Sequence, residues 1–205
     1  RLSIAQGVLC EPLAIAVYAV RQSGLSQGDD IAILGAGPIG ISCLLSARAA
    51  GAGDCYMTEK IDARVEIARS NGATWVGNPD KQNVVEEIGK HKPLGVDIAF
   101  ECAGQQQTID QAVELLAPGG KLMLIGIPRE DRVSFAIDKM RRKEITIVNV
   151  RRQNDCTQDT MDLVASGRIE PDFMVTHRFG MERSREAFDM VAGYKDGVVK
   201  ALIEF

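Results

Sequence analysis

The residues best placed to do chemistry are three glycines in the stretch Gly35-Ala36-Gly37-Pro38-Ile39-Gly40. They follow the apolar run Ile31-Ala32-Ile33-Leu34 and open a segment of small and apolar residues that reads as a helix from Pro38 to Ala50. A glycine leaving a strand allows a tight turn, a second lets backbone approach a pyrophosphate with no Cβ in the way, and a third lets the helix lie close to the sheet. Pro38 suits a first helical turn, where an N–H has no intrahelical partner. The free N–H groups and the positive dipole end of such a helix attract an anion. Glu59 stands 19 residues after Gly40, where the strand-like run Cys55-Tyr56-Met57-Thr58 ends. A carboxylate at that spacing accepts hydrogen bonds from a ribose diol and meets a 2′-phosphate with like charge.

Strand, loop, helix and acid together point to a dinucleotide, and Glu59 favours NAD over NADP. S-adenosylmethionine is served by a related loop and acid, but the Pro38-Ile39-Gly40 ending and a sixth strand favour the dinucleotide. Lys60 and Arg64 follow the acid. Either can meet a 2′-phosphate; alternatively Arg64 packs flat on adenine while Lys60 points to water, or both are simply solvated.

Metal chemistry has less to stand on. Five cysteines, Cys10, Cys43, Cys55, Cys102 and Cys156, are scattered without a C-x-x-C pair. They read as reduced thiols, not as a disulfide framework or a four-cysteine zinc lobe. His91 and His177 are the only histidines, too few for a self-contained histidine-rich centre. Glu11, before Pro12, is an acid that by itself reads as a polar residue at an element boundary, and Cys10 beside it points elsewhere.

The elements that must position these residues alternate. Strand-like segments at 31–34, 55–58, 74–76, 96–100, 121–127 and 144–150 are interleaved with helical patterns at 38–50, 61–72, 84–88 and 109–116, with Pro118-Gly119-Gly120 as a stop. Such β-α alternation implies an α/β fold with a doubly wound, parallel, six-stranded sheet and right-handed crossovers. The rhythm changes after residue 172. Phe173 to Thr176 and Val198 to Phe205 read as strands, and Ser184, Ala187, Phe188 and Val191 as one helix face. Residues 1–12 also stand outside the alternation. The expected division is therefore a cofactor-binding domain over 13–172, with 1–12 and 173–205 belonging to another unit. The chain begins at Arg1, not Met, as a fragment or processed product would.

Composition is that of an ordinary globular protein, with 45% hydrophobic and 25% charged residues among 205. A net charge of −4 argues against a nucleic-acid surface. The short basic cluster Lys139-Met140-Arg141-Arg142-Lys143 reads as a solvated helix end. No apolar run approaches the ~20 residues that span a bilayer, and no signal-peptide pattern is present, so the expected compartment is the cytoplasm.

From Glu11 onward the chain resembles the C-terminal part of the zinc-dependent medium-chain dehydrogenases, most closely the sorbitol (polyol) dehydrogenase branch, with threonine 3-dehydrogenase nearby. The resemblance rests on "EPLAIAVYA", "ILGAGPIG", "ECAG", "APGGKLMLIGIP" and "VTHRF", in the family's order over nearly the whole chain. It implies a Rossmann-type sheet and oxidation of a secondary alcohol or polyol by NAD, with a zinc ion lowering the pKa of the bound hydroxyl. It implies that Gly35, Gly37, Pro38, Ile39 and Gly40 hold the pyrophosphate, and that Glu59 and Arg64 hold the adenosine end. Cys102-Ala103-Gly104, Ile125-Gly126-Ile127 and Val150-Arg151-Arg152 are implied to end the fourth, fifth and sixth strands, the last two along the nicotinamide ring and its carboxamide. Cys102 itself reads as a small buried residue, and His177 as a structural one. Glu11 is implied to lie at the catalytic zinc, directly or through water, and Arg152 on the substrate side. Gln153, where that branch often has tyrosine, and Arg151, in a commonly apolar position, depart from the pattern. The family's zinc-ligand domain is missing from this stretch, and its members are usually dimers or tetramers. A stand-alone NAD(H)-binding module or sensor is the alternative function.

Overall fold

Every residue of Ile31–Leu34 is apolar and buried, and a strand with no wet face must be covered on both sides. In the computed structural model, which describes residues 1–205, this segment is β1, at the middle of a six-stranded sheet. The other strands are β2 (Cys55–Thr58), β3 (Trp75–Gly77), β4 (Val96–Glu101), β5 (Leu116–Leu124) and β6 (Thr146–Asn149). They lie in the order β3-β2-β1-β4-β5-β6 and every ladder is parallel. This is the doubly wound order of dinucleotide-binding sheets, whose direction of winding reverses between β1 and β4.

The period of two along β1 divides the interior. Ile31 and Ile33 face one core with α1 (Ile4–Ser23), α2 (Pro38–Ala49), α3 (Asp62–Ser70) and α7 (Thr157–Ala165). Ala32 and Leu34 face a second core with α4 (Val84–His91), α5 (Gln106–Leu115) and α6 (Ile137–Lys143). Beyond the sheet, β7 (Val175–Gly180) and β8 (Lys200–Glu204) form a separate parallel pair, with α8 (Ser184–Ala192) between them in sequence.

Several expectations change. The first is at the N-terminus. Residues 4–23 are one helix, so the expected boundary between residues 12 and 13 falls inside α1. Ser3 and Gln6 cap it reciprocally at 3.0 and 3.1 Å, and Gly24 ends it at φ 65°. Glu11-Pro12 is thus mid-helix and not at an element boundary. Leu9, Leu13, Ala16 and Ala19 are completely buried against the sheet's helices. By length and composition this helix is apolar enough to cross a membrane, contrary to the expectation from the sequence. The apolar residues named are core, however, and the charges of Glu11 and Arg21 are what broke the run.

Leu116 belongs to β5, not to the helix before it. It pairs with Val96 while Lys121 pairs with Ile98, so Ala117-Pro118-Gly119-Gly120 bulges out of the ladder. Proline lacks the donor a ladder needs, and such an interruption accommodates it. Helix α7 was not expected; its polar sequence hides Thr160 and Val164, both buried. The strand expected from Phe173 begins at Val175, after a single 3-10 turn at Asp172–Met174. Of the expected α8 face, Ala187 is buried, but Phe188 is 70% and Val191 45% exposed.

The basic cluster is the solvated end of α6, as expected, with its charges paired locally. Arg141 and Arg142 pair with Asp138, and Lys139 pairs with Glu114. Lys143 donates to the carbonyls of Val113, Glu114 and Leu116, closing the C-terminus of α5.

Candidate cofactor cleft

The carboxyl ends of β1, β2 and β4 open onto a cleft of about 660 Å³. Ligands of open α/β sheets bind at such strand ends, where the order reverses. Gly35, Gly37, Pro38, Glu59, Arg64, Cys102 and Ala103 all line it, together with Thr58, Lys60, Ile61 and Pro79.

The three glycines have different reasons to be glycine. Gly35 takes φ +104°, a conformation L side chains rarely adopt. Gly37 is extended at φ −72° and caps α2. A Cβ there would meet only Arg64 Nη1 at 3.7 Å, so the space in front of it is open to a ligand. A Cβ on Gly40 would stand 1.8 Å from the Gly35 carbonyl oxygen. Gly40 therefore lets the loop fold back on its own helix. The contact expected for it, with the sheet, is secondary: Ile33 Cγ2 lies 3.5 Å away.

Glu59 is nearly buried, at 9% exposure, and its carboxylate is already anchored. One oxygen accepts from the Ala36 N–H at 2.8 Å, the other from the Lys60 and Ile61 N–H groups at 2.8 and 3.0 Å. The acid thus ties the glycine loop to the end of β2 besides facing the cleft. Lys60 Nζ lies 3.1 Å from Asp80, which offsets its charge. Arg64 is not solvated. It is 6% exposed, and its Nε and Nη2 both donate to the Val198 carbonyl. Its guanidinium carbon lies 5.6 Å from the centre of the Tyr194 ring. Burial pulls its pKa down from the ordinary arginine value, with the Glu59 charge opposing.

On the β4 side, Glu101 organises the loop. It is 1% exposed, and Oε1 accepts from Ala103 N, Gly104 N and Thr108 Oγ1 at 2.7–2.9 Å. A charged residue ending the otherwise largely apolar run Val96–Glu101 was the available signal for it. Cys102 is half-buried, with Sγ 3.9 Å from that of fully buried Cys43. That thiol contact and burial raise its pKa. Gly104 and Gly126 bring the β4 and β5 loops into backbone contact. A Cβ on Gly104 would stand 2.4 Å from the Ile127 oxygen, and one on Gly126 2.2 Å from Gly104 N.

The remaining expected residues do not line this cleft. Ile39 and Gly40 are inside the first turn of α2. Ile125, Gly126 and Val150 follow their strands beyond the cleft, Val150 being buried. Ile127 is 90% exposed. Arg151 and Arg152 are exposed, the latter in the left-handed region at φ 55°. Glu11 is exposed on α1 with buried Cys10 beside it, and no group of three His, Cys, Asp or Glu side chains assembles anywhere to hold a metal. His177 is fixed by Thr176 and Asp196 at 2.9 and 3.1 Å. Conversely, the C-terminal residues Val191, Ala192, Tyr194 and Val199 line the cleft, with no signal in the sequence to place them there.

Comparison with known proteins agrees with this geometry. Residues 38–166 match the family model described as zinc-binding dehydrogenase. Sorbitol dehydrogenase of Bacillus subtilis is 29% identical over 203 residues, 98% of this chain and 58% of that protein. The crystal structure of 2R,3R-butanediol dehydrogenase from Bacillus subtilis superposes with a TM-score of 0.92 at 32% identity, over all of this chain and 58% of the other. A zinc-binding dehydrogenase of Sinorhizobium meliloti, solved bound to NADP, gives 0.89 at 31% identity, over 97% and 58%. The chain thus spans somewhat over half the length of these relatives. A glycine-loop cleft on a 3-2-1-4-5-6 sheet, and a family match covering most of that sheet, place this chain in the zinc-binding dehydrogenase family.

Proposed function

We propose that this chain is the cofactor-binding part of an NAD-linked alcohol or polyol dehydrogenase, one that transfers a hydride from a secondary alcohol to the nicotinamide ring. The observation that carries the reading is the open space before Gly37, at the N-terminus of α2 and facing the rim that Glu59 anchors. A pyrophosphate fits where a Cβ would otherwise stand, against the first N–H groups of α2. Glu59 has lone pairs left for a ribose diol. Its charge, with Lys60 already paired to Asp80, supports NAD over NADP. Bound there, the nicotinamide ring supplies the hydride acceptor. Arg152, on the substrate side, and the β5 and β6 ends Ile125-Gly126-Ile127 and Val150-Arg151 complete the proposed site.

Zinc is a different case. Glu11 is a single exposed acid, whereas a catalytic zinc takes three protein ligands. The residues present do not make a zinc site, so any ligands beyond Glu11 belong to the part of the relatives' length that this chain does not span. A dimeric or tetrameric cytoplasmic enzyme, with the C-terminal segment 173–205 serving the zinc-bearing unit, completes the proposal.

Titration with NADH and NADPH, followed by nicotinamide fluorescence, tests the reading. Saturable binding with NADH the tighter ligand is expected; a folded protein that binds neither cofactor overturns it.

A further inference from the structure

The cofactor cleft has a wall that does not come from the sheet. Val191 and Ala192 at the end of α8, and Tyr194 and Val199 in the turn between α8 and β8, line it. That turn is strained. Tyr194 and Asp196 both take φ 51°, with Gly197 at φ 64°. A bulky aromatic residue in this region is uncommon. Such conformations persist only where the surroundings over-determine them, and they gather at ligand clamps.

The surroundings here are specific. Arg64 holds the Val198 carbonyl through Nε at 2.9 Å and through Nη2. A Cβ on Gly197 would stand 2.5 Å from that of Ala63, so the turn is pressed onto the start of α3. His177 Nε2 holds Asp196 at 3.1 Å. The guanidinium that fixes the turn also sits 5.6 Å from the Tyr194 ring centre, and its Nη1 borders the open space before Gly37, 3.7 Å from where a Cβ would stand. One buried cation therefore stands between the open space at Gly37 and the tyrosine ring. Tyr194 remains 56% exposed in the cleft that Ile61, Pro79 and Glu59 also line.

We propose that Tyr194 is a cofactor-binding residue: its ring forms the outer wall of the adenine end of the cleft and stacks on the base, with Arg64 as its positioning residue. The inference rests on the dinucleotide reading above and extends it to a residue outside the sheet. A planar base has a π-face to offer whatever its substituents, so an aromatic wall in a cleft that also holds apolar Ile61 and Pro79 is the chemistry that recognises it. The ligand class is an adenine nucleotide, and the nicotinamide half plays no part in the contact.

Calorimetric titration with NADH and with ADP-ribose tests this. Tyr194→Gly removes the ring while suiting the left-handed backbone, and is expected to weaken both ligands by the same factor, about 5- to 150-fold. Tyr194→Phe keeps the ring and should bind within about twofold of the unaltered protein. In the unaltered protein, ADP-ribose should also shift the Tyr194 ring proton signals, assigned by their loss in Tyr194→Phe, which guards against a misfolded glycine variant. Unmoved ring signals, or a Tyr194→Gly protein that binds ADP-ribose normally, overturn the proposal and leave the dinucleotide reading standing. Equal losses in both variants assign the effect to the hydroxyl and overturn stacking. An unaltered protein that binds neither ligand overturns both readings.

Discussion

Replacing Glu59 by glutamine changes one oxygen to an amide and removes one charge. In the native loop the carboxylate accepts three backbone N–H groups: Ala36 on one oxygen, Lys60 and Ile61 on the other. A glutamine can present its oxygen to only one side. Facing Lys60 and Ile61, it keeps two bonds and turns its NH₂ on the Ala36 N–H, donor against donor. Ala36 is fully buried, so that N–H has no water to turn to. A buried donor left unpaired costs about 1–3 kcal/mol, and for a chain of this size each kcal/mol lowers Tm by about 2–4 °C. The variant should therefore melt roughly 2–12 °C lower. Cofactor affinity should fall separately. A hydrogen bond to a charged group contributes about 1.5–3 kcal/mol, or about 10- to 150-fold in NADH affinity. NADPH should weaken less, because the like charge facing its 2′-phosphate is gone. Thermal melts report the first effect, and fluorescence titration of both cofactors reports the second. An unchanged Tm would refute the anchoring role. An unchanged NADH to NADPH ratio would refute Glu59 as the discriminator.

The glycine loop separates fold from function: Gly40→Ala, with its Cβ 1.8 Å from the Gly35 oxygen, should destabilise markedly in thermal melts. Gly37→Val should instead fold normally by circular dichroism and lose NADH binding, since only Arg64 Nη1 lies near, at 3.7 Å. Lys92 bridges Asp30 and Asp54 at the opposite end of the sheet, at 2.5 and 2.9 Å. Its hydrogen bond holds the Asp54 carboxyl below the usual range, and those to Asp30 and Asp54 hold its own ammonium above. A depressed acid stabilises above its unfolded pKa and a raised base below its own, so the pair acts between about pH 4 and pH 10. Lys92→Met should lower Tm most at pH 7, with the gap to the native protein shrinking below about pH 4 as Asp54 takes up its proton; a constant gap would contradict the pair's role. Among the thiols, half-buried Cys102 should be alkylated first, slowly at neutral pH and more slowly still with NADH bound, as mapped by peptide mass. Cys55, pushed up to about 11 by burial, should resist throughout.

Much of this molecule is determined by the sequence alone, because the features concerned are local. Four consecutive apolar residues in β1, closed at once by a glycine, read as a buried strand, and the glycine spacing after them fixes a turn into a helix. Alternation of such units then leaves the parallel, doubly wound sheet as the outcome, and family motifs along the chain converge on it. What tertiary structure decided lies where distant segments meet. That α1 is one helix into the core, not a boundary, follows from Leu9 and Leu13 packing on helices far along the chain. That Arg64 is buried and not solvated follows from the Val198 carbonyl, 134 residues away. Tyr194 lines the cleft on a turn that the same arginine, Ala63 and His177 hold from distant segments. No periodicity in the sequence records a contact between a side chain on α3 and a carbonyl before β8. Such a contact exists only once the sheet has set the two segments side by side, and it is there that a buried charge finds its acceptor.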